Sequence, residues 1–251
     1  MAKKLKDYYD LSYAADLSQK LAQVSQDFDA QRFLELVEPT LLNLEFNDRQ
    51  VLIATALQKT LPKDYAQTLK IFTQILGPEL PGSLGMFTEG YWLWPIGKYV
   101  ELYGAEHFAE STEFSKELTK RFTGEYCMRP LLARFPAETI ALMVQWSLDE
   151  NKRVRRLASE CLRTRLPWAK KQLVVLAHFD NYLEVLSNLR NDPDKTIQKS
   201  VANNLNDLYK DAPEKFAYII ALWQQAPVSK ECAWIIKHGS RTQRKKLEAA
   251  S

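Results

Sequence analysis

The stretch from Asp149 to Trp168, DENKRVRRLASECLRTRLPW, decides the reading of this chain. Its apolar residues are spaced for a helix over 151–165, and a second helix precedes it at 138–148 (ETIALMVQWSL). The pattern returns further on. Asp149 corresponds to Asp192, Val154 to Ile197 and Leu162 to Leu205, each 43 residues later, and Phe135 corresponds to Phe179 within one residue.

A period of that length, with two helices per unit and an Asp-x(4)-Val-Arg turn, is the signature of HEAT-type repeats. One helix pair cannot bury its apolar face alone, so successive pairs stack. The expected fold is therefore all-α: a right-handed solenoid of HEAT-like helical repeats with a concave basic face. A third, weaker unit is expected over 214–246.

Charge is concentrated on the same stretch. Residues 151–171 carry eight Lys/Arg against one acid, Glu160, in a chain whose net charge is only +3. Such a stripe is either a polyanion footprint or a solvated helix face, and charge alone leaves both open.

Helical spacing extends through the first half, over 12–26, 30–43 and 64–76. Asp48 is expected to cap a helix that ends at Leu61-Pro62. The one clear loop is 77–90, which holds Gly77, Gly82, Gly85 and Gly90. The aromatic run behind it (Trp92, Trp94, Tyr99) is core packing or a contact surface. EFSKELTKRFTGE, 113–125, reads as one helix. With 251 residues, 46% hydrophobic and 26% charged, the chain is expected to form a single domain over 1–251.

Several classes find no support. Cys127, Cys161 and Cys232 form no CxxC pair, His107, His178 and His238 form no HExxH pattern, and no metal or cofactor is expected. Phosphate-loop, G-x-S-x-G and kinase signatures are missing. No run approaches the length of a membrane span or a signal-peptide core, so a cytosolic protein is expected, without membrane partners.

Four strings in the second half are distinctive: RFTGEYCMRPLL (121–132), NKRVRRLASECLRTRLPWA (151–169), KSVANNLNDLYKDAP (199–213) and WIIKHGSRT (234–242). They resemble the HEAT-repeat DNA glycosylases of bacterial alkylation repair, the AlkC branch more than AlkD. The resemblance continues upstream through LPKDYAQTLKIFTQILGP (61–78) and WPIGKYVELYG (94–104). The chain stops at Ser251, as expected for a form without a C-terminal immunoglobulin-like domain. The resemblance implies excision of N-alkylated bases such as 3-methyladenine from duplex DNA by a monofunctional glycosylase. It would act as a monomer in the bacterial cytosol, nucleoid-associated when bound. It implies three catalytic residues: Glu125 in the FT-x-E segment, Trp168 in RLPWA and Asp207 in NNLND.

These residue types suit the chemistry. A base methylated on a ring nitrogen is cationic and leaves as a neutral molecule. The protein must then stabilise the positive sugar and direct water to it, and carboxylates can do both. A Trp ring attracts positive charge. Each residue also has a structural reading. Trp168 could fill a core, Glu125 could pair with Arg129 four residues on, and Asp207 could serve packing with Asn203, Asn204 and Asn206. Lys152, Arg155, Arg156, Arg163, Arg165, Lys199, Lys237 and Arg241 are the expected DNA-binding residues.

The chain departs from the family pattern in places. Gln198 and Lys199 stand where two arginines are usual, and Gly239 stands inside an expected helix at a cost of about 1 kcal/mol. A weaker or inactive homologue that binds DNA structure is therefore the alternative, and a protein-interaction solenoid is a third reading.

Overall fold

The computed structural model describes residues 3–82, 88–225 and 227–249. Within the loop read over 77–90, residues 83–87, Gly85 among them, lie outside the described residues. Every regular element among the described residues is helical, and the fold is of the HEAT-like helical-repeat kind. The chain divides into two compact units, Met1–Pro130 and Leu131–Ser251.

The first unit holds α1 (Leu11–Val24), α2 (Ala30–Leu41), α3 (Phe46–Thr60), α4 (Tyr65–Ile75), α5 (Trp94–Tyr103) and α6 (Phe108–Thr119). Asp10, Asp29 and Asp64 cap α1, α2 and α4, each accepting from a backbone N–H three residues on. Asp48 is not the cap of α3. That helix begins at Phe46 after Glu45, and Asp48 lies in its first turn, where a negative charge also favours the helix. The aromatic run behind the loop is mostly core: Trp94 and Tyr99 are buried, with Trp94 edge-on to Phe46 and Tyr99 edge-on to Phe72. Trp92 is only half-buried, with Lys20 over its ring.

The stretch 113–125 is not one helix. It breaks after Thr119, and α7 (Glu125–Arg134) starts anew at Glu125 and runs across the division between the units. Phe122 and Thr123 are buried in the break, and Gly124 directly precedes the new helix, accepting its first backbone bond from Met128.

The second unit carries the repeat. Its helices are α8 (Pro136–Trp146), α9 (Lys152–Glu160), α10 (Phe179–Leu189), α11 (Lys195–Asp211), α12 (Pro213–Trp223), α13 (Lys230–Gly239) and α14 (Arg241–Glu248). The pairs α8/α9 and α10/α11 both start 43 residues apart, Pro136 to Phe179 and Lys152 to Lys195. Their inner turns are built alike. Asp149 accepts from the Asn151 N–H and Asn151 caps α9, while Asp192 accepts from the Asp194 N–H and Asp194 caps α11. Val154, Leu157, Leu162, Val185, Leu186, Ile197, Val201 and Leu205 of these repeats are fully buried.

Helix α9 is shorter than the expected 151–165. It ends at Glu160, and residues 161–173 form turns without regular structure. Leu166 precedes a proline, which disfavours helical backbone there. The Arg163 side chain is also drawn inward by two carboxylates, described below.

Gly239 closes α13 where that helix approaches α11. A Cβ on it would come within 2.7 Å of Leu205 Cβ and 3.2 Å of the Ala202 carbonyl oxygen. The helical cost of this glycine is therefore the condition for close packing of two helices.

Candidate functional site

Helix α11 organises the site in the second unit. Ser200, Asn204, Asp207 and Asp211 follow one another at steps of four, three and four residues, so they share one face of the helix. At the first step the Ser200 and Ser159 hydroxyls lie 2.7 Å apart. Asn204 Nδ2 donates to the carbonyls of Ser159 (2.9 Å) and Ser200 (3.0 Å), and its Oδ1 accepts from the Tyr182 hydroxyl at 2.8 Å. These bonds fix α11 against α9 and α10 in one orientation.

Asp207 comes one turn later. Its Oδ2 accepts from Arg163 Nε at 2.9 Å, and Arg163 Nη1 donates to Glu160 Oε1 at 2.9 Å. All three side chains are buried, each less than 10% exposed. Burial pushes the Asp207 carboxyl above the ordinary aspartate range, against the pull of Arg163. Burial works against the charge of Glu160 too, but Arg156 and Arg163 outweigh it and hold that carboxyl below its usual range.

Asp211 is the last residue of α11. Thr164 Oγ1 donates to it at 2.7 Å, Arg165 Nη2 at 2.6 Å, and Lys171 Nζ lies 2.6 Å from its Oδ1. Burial opposes this charge as well, but hydrogen bonds from Arg165, Lys171 and Thr164 hold the carboxyl down at about 2.

Trp168 lies on the segment between those anchors and is no core filler: it is 72% exposed. It is also the one residue other than glycine with a positive φ, 62°, among the described residues. Leu166-Pro167-Trp168-Ala169 is a turn closed by Ala169 N–H donating to the Leu166 carbonyl at 3.2 Å. Proline in second place and a positive φ in third are the marks of a type II turn, whose third place normally takes glycine. A tryptophan there costs about 1–2 kcal/mol of backbone strain. Strain of this kind persists where surrounding structure over-determines it, typically at functional positions.

The expected DNA-binding residues divide in two. Arg155 donates to Asp192 Oδ2 at 2.7 Å and to the carbonyls of Asp149 and Glu150 at 2.9 Å, so it ties one inter-helix turn to the next. Its counterpart one period on, Gln198, is buried and donates to the Asp192 carbonyl at 2.8 Å. The missing arginine at 198 is therefore exchanged within a turn-binding role. Arg163 and Arg165 are held by carboxylates as described. Arg241 donates to the His238 carbonyl and to Asn203 Oδ1. Lys199 and Lys237 are exposed, and Lys152 is partly so. Arg156 is partly exposed and lies 3.9 Å from Glu160.

Glu125 belongs to the first unit. It is buried, opens α7, and accepts a hydrogen bond from the Thr123 hydroxyl through Oε2. A carboxylate there faces the positive end of the helix dipole, which favours its charge. Sequence reading gave Glu125 the end of a helix; Gly124 is the signal that moves it to a beginning. It also missed Glu160, Tyr182, Asn204 and Asp211. Their one visible sign is the spacing of Asn204, Asp207 and Asp211 along α11.

Among the described residues no group of three or more His, Cys, Asp or Glu is placed to hold a metal ion, and no helix is long and apolar enough to cross a membrane. The three cysteines are buried thiols outside any disulfide.

The second unit is thus a set of helical repeats with a buried, guanidinium-held carboxylate and an exposed tryptophan. Residues 122–248 match the family described as DNA alkylation repair enzyme, and the chain belongs to that family. It is similar to the alkylpurine DNA glycosylase AlkC of Pseudomonas fluorescens, solved bound to DNA containing an abasic site analog. The two are 30% identical with a TM-score of 0.85, over 98% of this chain and 66% of that one. It is also 33% identical over 243 residues to the uncharacterized protein YhaZ of Bacillus subtilis (strain 168), covering 96% of this chain and 65% of that protein. The chain thus spans just under two thirds of the length of each.

Proposed function

We propose that this chain is a monofunctional DNA glycosylase that hydrolyses the N-glycosidic bond of N-alkylated, cationic bases such as 3-methyladenine in duplex DNA. One observation carries the reading: Asp207, on α11, is a buried carboxylate held by Arg163, and Arg163 lies on the same segment as Trp168 with its strained turn. Family membership and the similarity to an alkylpurine DNA glycosylase support it. Partner and setting follow from the same reading: duplex DNA, bound by a monomer in the bacterial cytosol.

The base carries the positive charge before the bond breaks. It departs with the bonding electron pair as a neutral molecule, and the sugar becomes an oxocarbenium ion. Water adds its oxygen to the sugar carbon and gives up a proton. A fixed anion near that sugar stabilises the developing charge and can take the proton. We assign this work to Asp207, with Glu125 as the second carboxylate, and a cation–π contact to Trp168. Of the expected DNA-binding residues, Lys199 and Lys237 are exposed and Lys152 and Arg156 partly so, and we assign phosphate neutralisation to these four.

The alternative of a weakened, structure-binding homologue was motivated by Gln198. Gln198 is buried on α11 and donates to the Asp192 carbonyl of the preceding turn, which supports reading that change as one of turn binding. The test is base release from methylated duplex DNA, analysed by base identity. Release of methylated purines by the natural chain, lost in Asp207→Asn, is the expected result. Binding of such DNA without release overturns the reading.

A further inference from the structure

The segment 164–172 is a closed loop whose two sides meet one carboxylate, that of Asp211. Its N-terminal side meets Asp211 through the Thr164 hydroxyl and through Arg165, whose Nε lies 2.9 Å from Oδ2 and 3.0 Å from Oδ1. Its C-terminal side meets the same carboxylate through Lys171. The two sides also join directly, where the Gln172 N–H donates to the Thr164 carbonyl at 3.1 Å. Between the anchors, Leu166 is buried and Trp168 exposed.

The position of Asp211 is unfavourable for a structural acid chosen by helix propensity. It ends α11, where the helix dipole disfavours negative charge. Its side chain is only 1% exposed. What keeps an ionised group there is the set of donors from the loop. The coupling runs both ways: without the carboxylate, Arg165 and Lys171 would carry like charges on converging strands of one short loop.

We propose that Asp211 is a positioning residue, a clasp that closes the 164–172 loop and thereby sets the place of Trp168. It acts through Trp168 and touches no substrate. The part of this proposal that concerns activity rests on the glycosylase reading above; the part that concerns the loop does not.

The test uses the full chain labelled with 5-fluorotryptophan and read by fluorine NMR. The chain has six tryptophans, and the Trp168 resonance is assigned by its loss in Trp168→Phe. In Asp211→Asn the Trp168 resonance is expected to shift and broaden while those of Trp146 and Trp223, in the core of the same unit, hold. Should Asp211→Asn disturb those core resonances, Lys171→Met removes one fastening from the exposed side, and the same shift of Trp168 is expected. An unmoved Trp168 resonance in the variant whose core is intact overturns the clasp.

A second arm reads single-turnover base release. Asp211→Asn is expected to lose about tenfold to a hundredfold, as a displaced catalytic group does. Asp211→Asn combined with Trp168→Ala is expected to lose no more than Trp168→Ala alone, because both act at one point. Fully additive losses overturn the proposal. If the natural chain releases no methylated base, the glycosylase reading fails, and the NMR result alone decides the clasp.

Discussion

Arg163 Nε lies 2.9 Å from Asp207 Oδ2, and the same guanidinium reaches Glu160, so one buried cation serves two buried acids. The charged form of Asp207 depends on the balance around it. Burial raises its pKa, and Glu160 adds to that. Arg163 opposes from the segment after α9, and Lys210 from α11 itself. Arg165, on the same segment as Arg163, and Arg241, on α14, are further charges near it, and burial keeps the Tyr182 hydroxyl on α10 protonated. A carboxylate that must be ionised to act then sets an acid limb, above the usual aspartate range. Removing Arg163 moves this limb further up. Arg163→Met is expected to raise the midpoint of the acid limb of base release by about one pH unit or more, whereas Arg163→Lys restores most of it. A pH–rate profile of both variants checks this, and parallel profiles with lowered height would argue against it. Arg163→Met is also expected to cost about 3–5 kcal/mol of stability, since it removes the buried cation that pairs with Asp207, so the profiles belong well below its melting temperature.

Trp168 offers a cleaner separation of stability from activity. Its positive φ is the conformation glycine takes without strain. Trp168→Gly relieves about 1 kcal/mol of strain and gives back a similar amount through the freer unfolded chain. Its stability in urea is therefore expected to stay within about 1 kcal/mol of the natural chain. Trp223→Ala, by contrast, empties a fully buried site and should cost about 3–5 kcal/mol. Base release by Trp168→Gly should nonetheless collapse. A large stability loss there would restore the core-filler reading.

The period of 43 residues was legible because it rests on local features: helical spacing of apolar residues and an Asp two places before each cap. The charge stripe was legible as a count but not as a surface. Its arginines meet acids a repeat further on, Arg155 with Asp192, Arg163 with Asp207 and Arg165 with Asp211. No local rule joins residues 37, 44 or 46 positions apart. The end of α9 was misplaced for the same reason, since helix propensity favours continuing past Glu160 and tertiary ion pairs stop it. The turn at Trp168 was hidden by its own residue type, because tryptophan gives no sign of a positive φ.

Gly239 allows a test of packing away from the proposed chemistry. An added methyl would meet Leu205 Cβ at 2.7 Å and the backbone of α11 at 3.2 Å. Helix propensity alone says that Gly239→Ala should stabilise by about 1 kcal/mol. Overpacking against a fully buried leucine says the reverse, by about 1–3 kcal/mol, and backbone leaves little room to yield. We expect net destabilisation, measured by urea unfolding, with base release by the folded fraction unchanged. A stabilised variant would mean that α13 can move away from α11 at little cost.

The division of the basic residues predicts how DNA binding responds to salt. Each lysine that neutralises one phosphate adds about one to the slope of log K against log salt. Lys199 and Lys237 are exposed and carry their charge outward, so Lys199→Gln and Lys237→Gln should each lower that slope by about one. Arg155 spends its guanidinium on Asp192 and two carbonyls, so Arg155→Gln, which copies residue 198 of the next repeat, should leave the slope unchanged. It should lower stability instead, by loosening two inter-helix turns. Titration of labelled duplex DNA at several salt concentrations separates these outcomes. A loss of slope with Arg155→Gln, equal to that of the lysine variants, would return Arg155 to the phosphate-binding set.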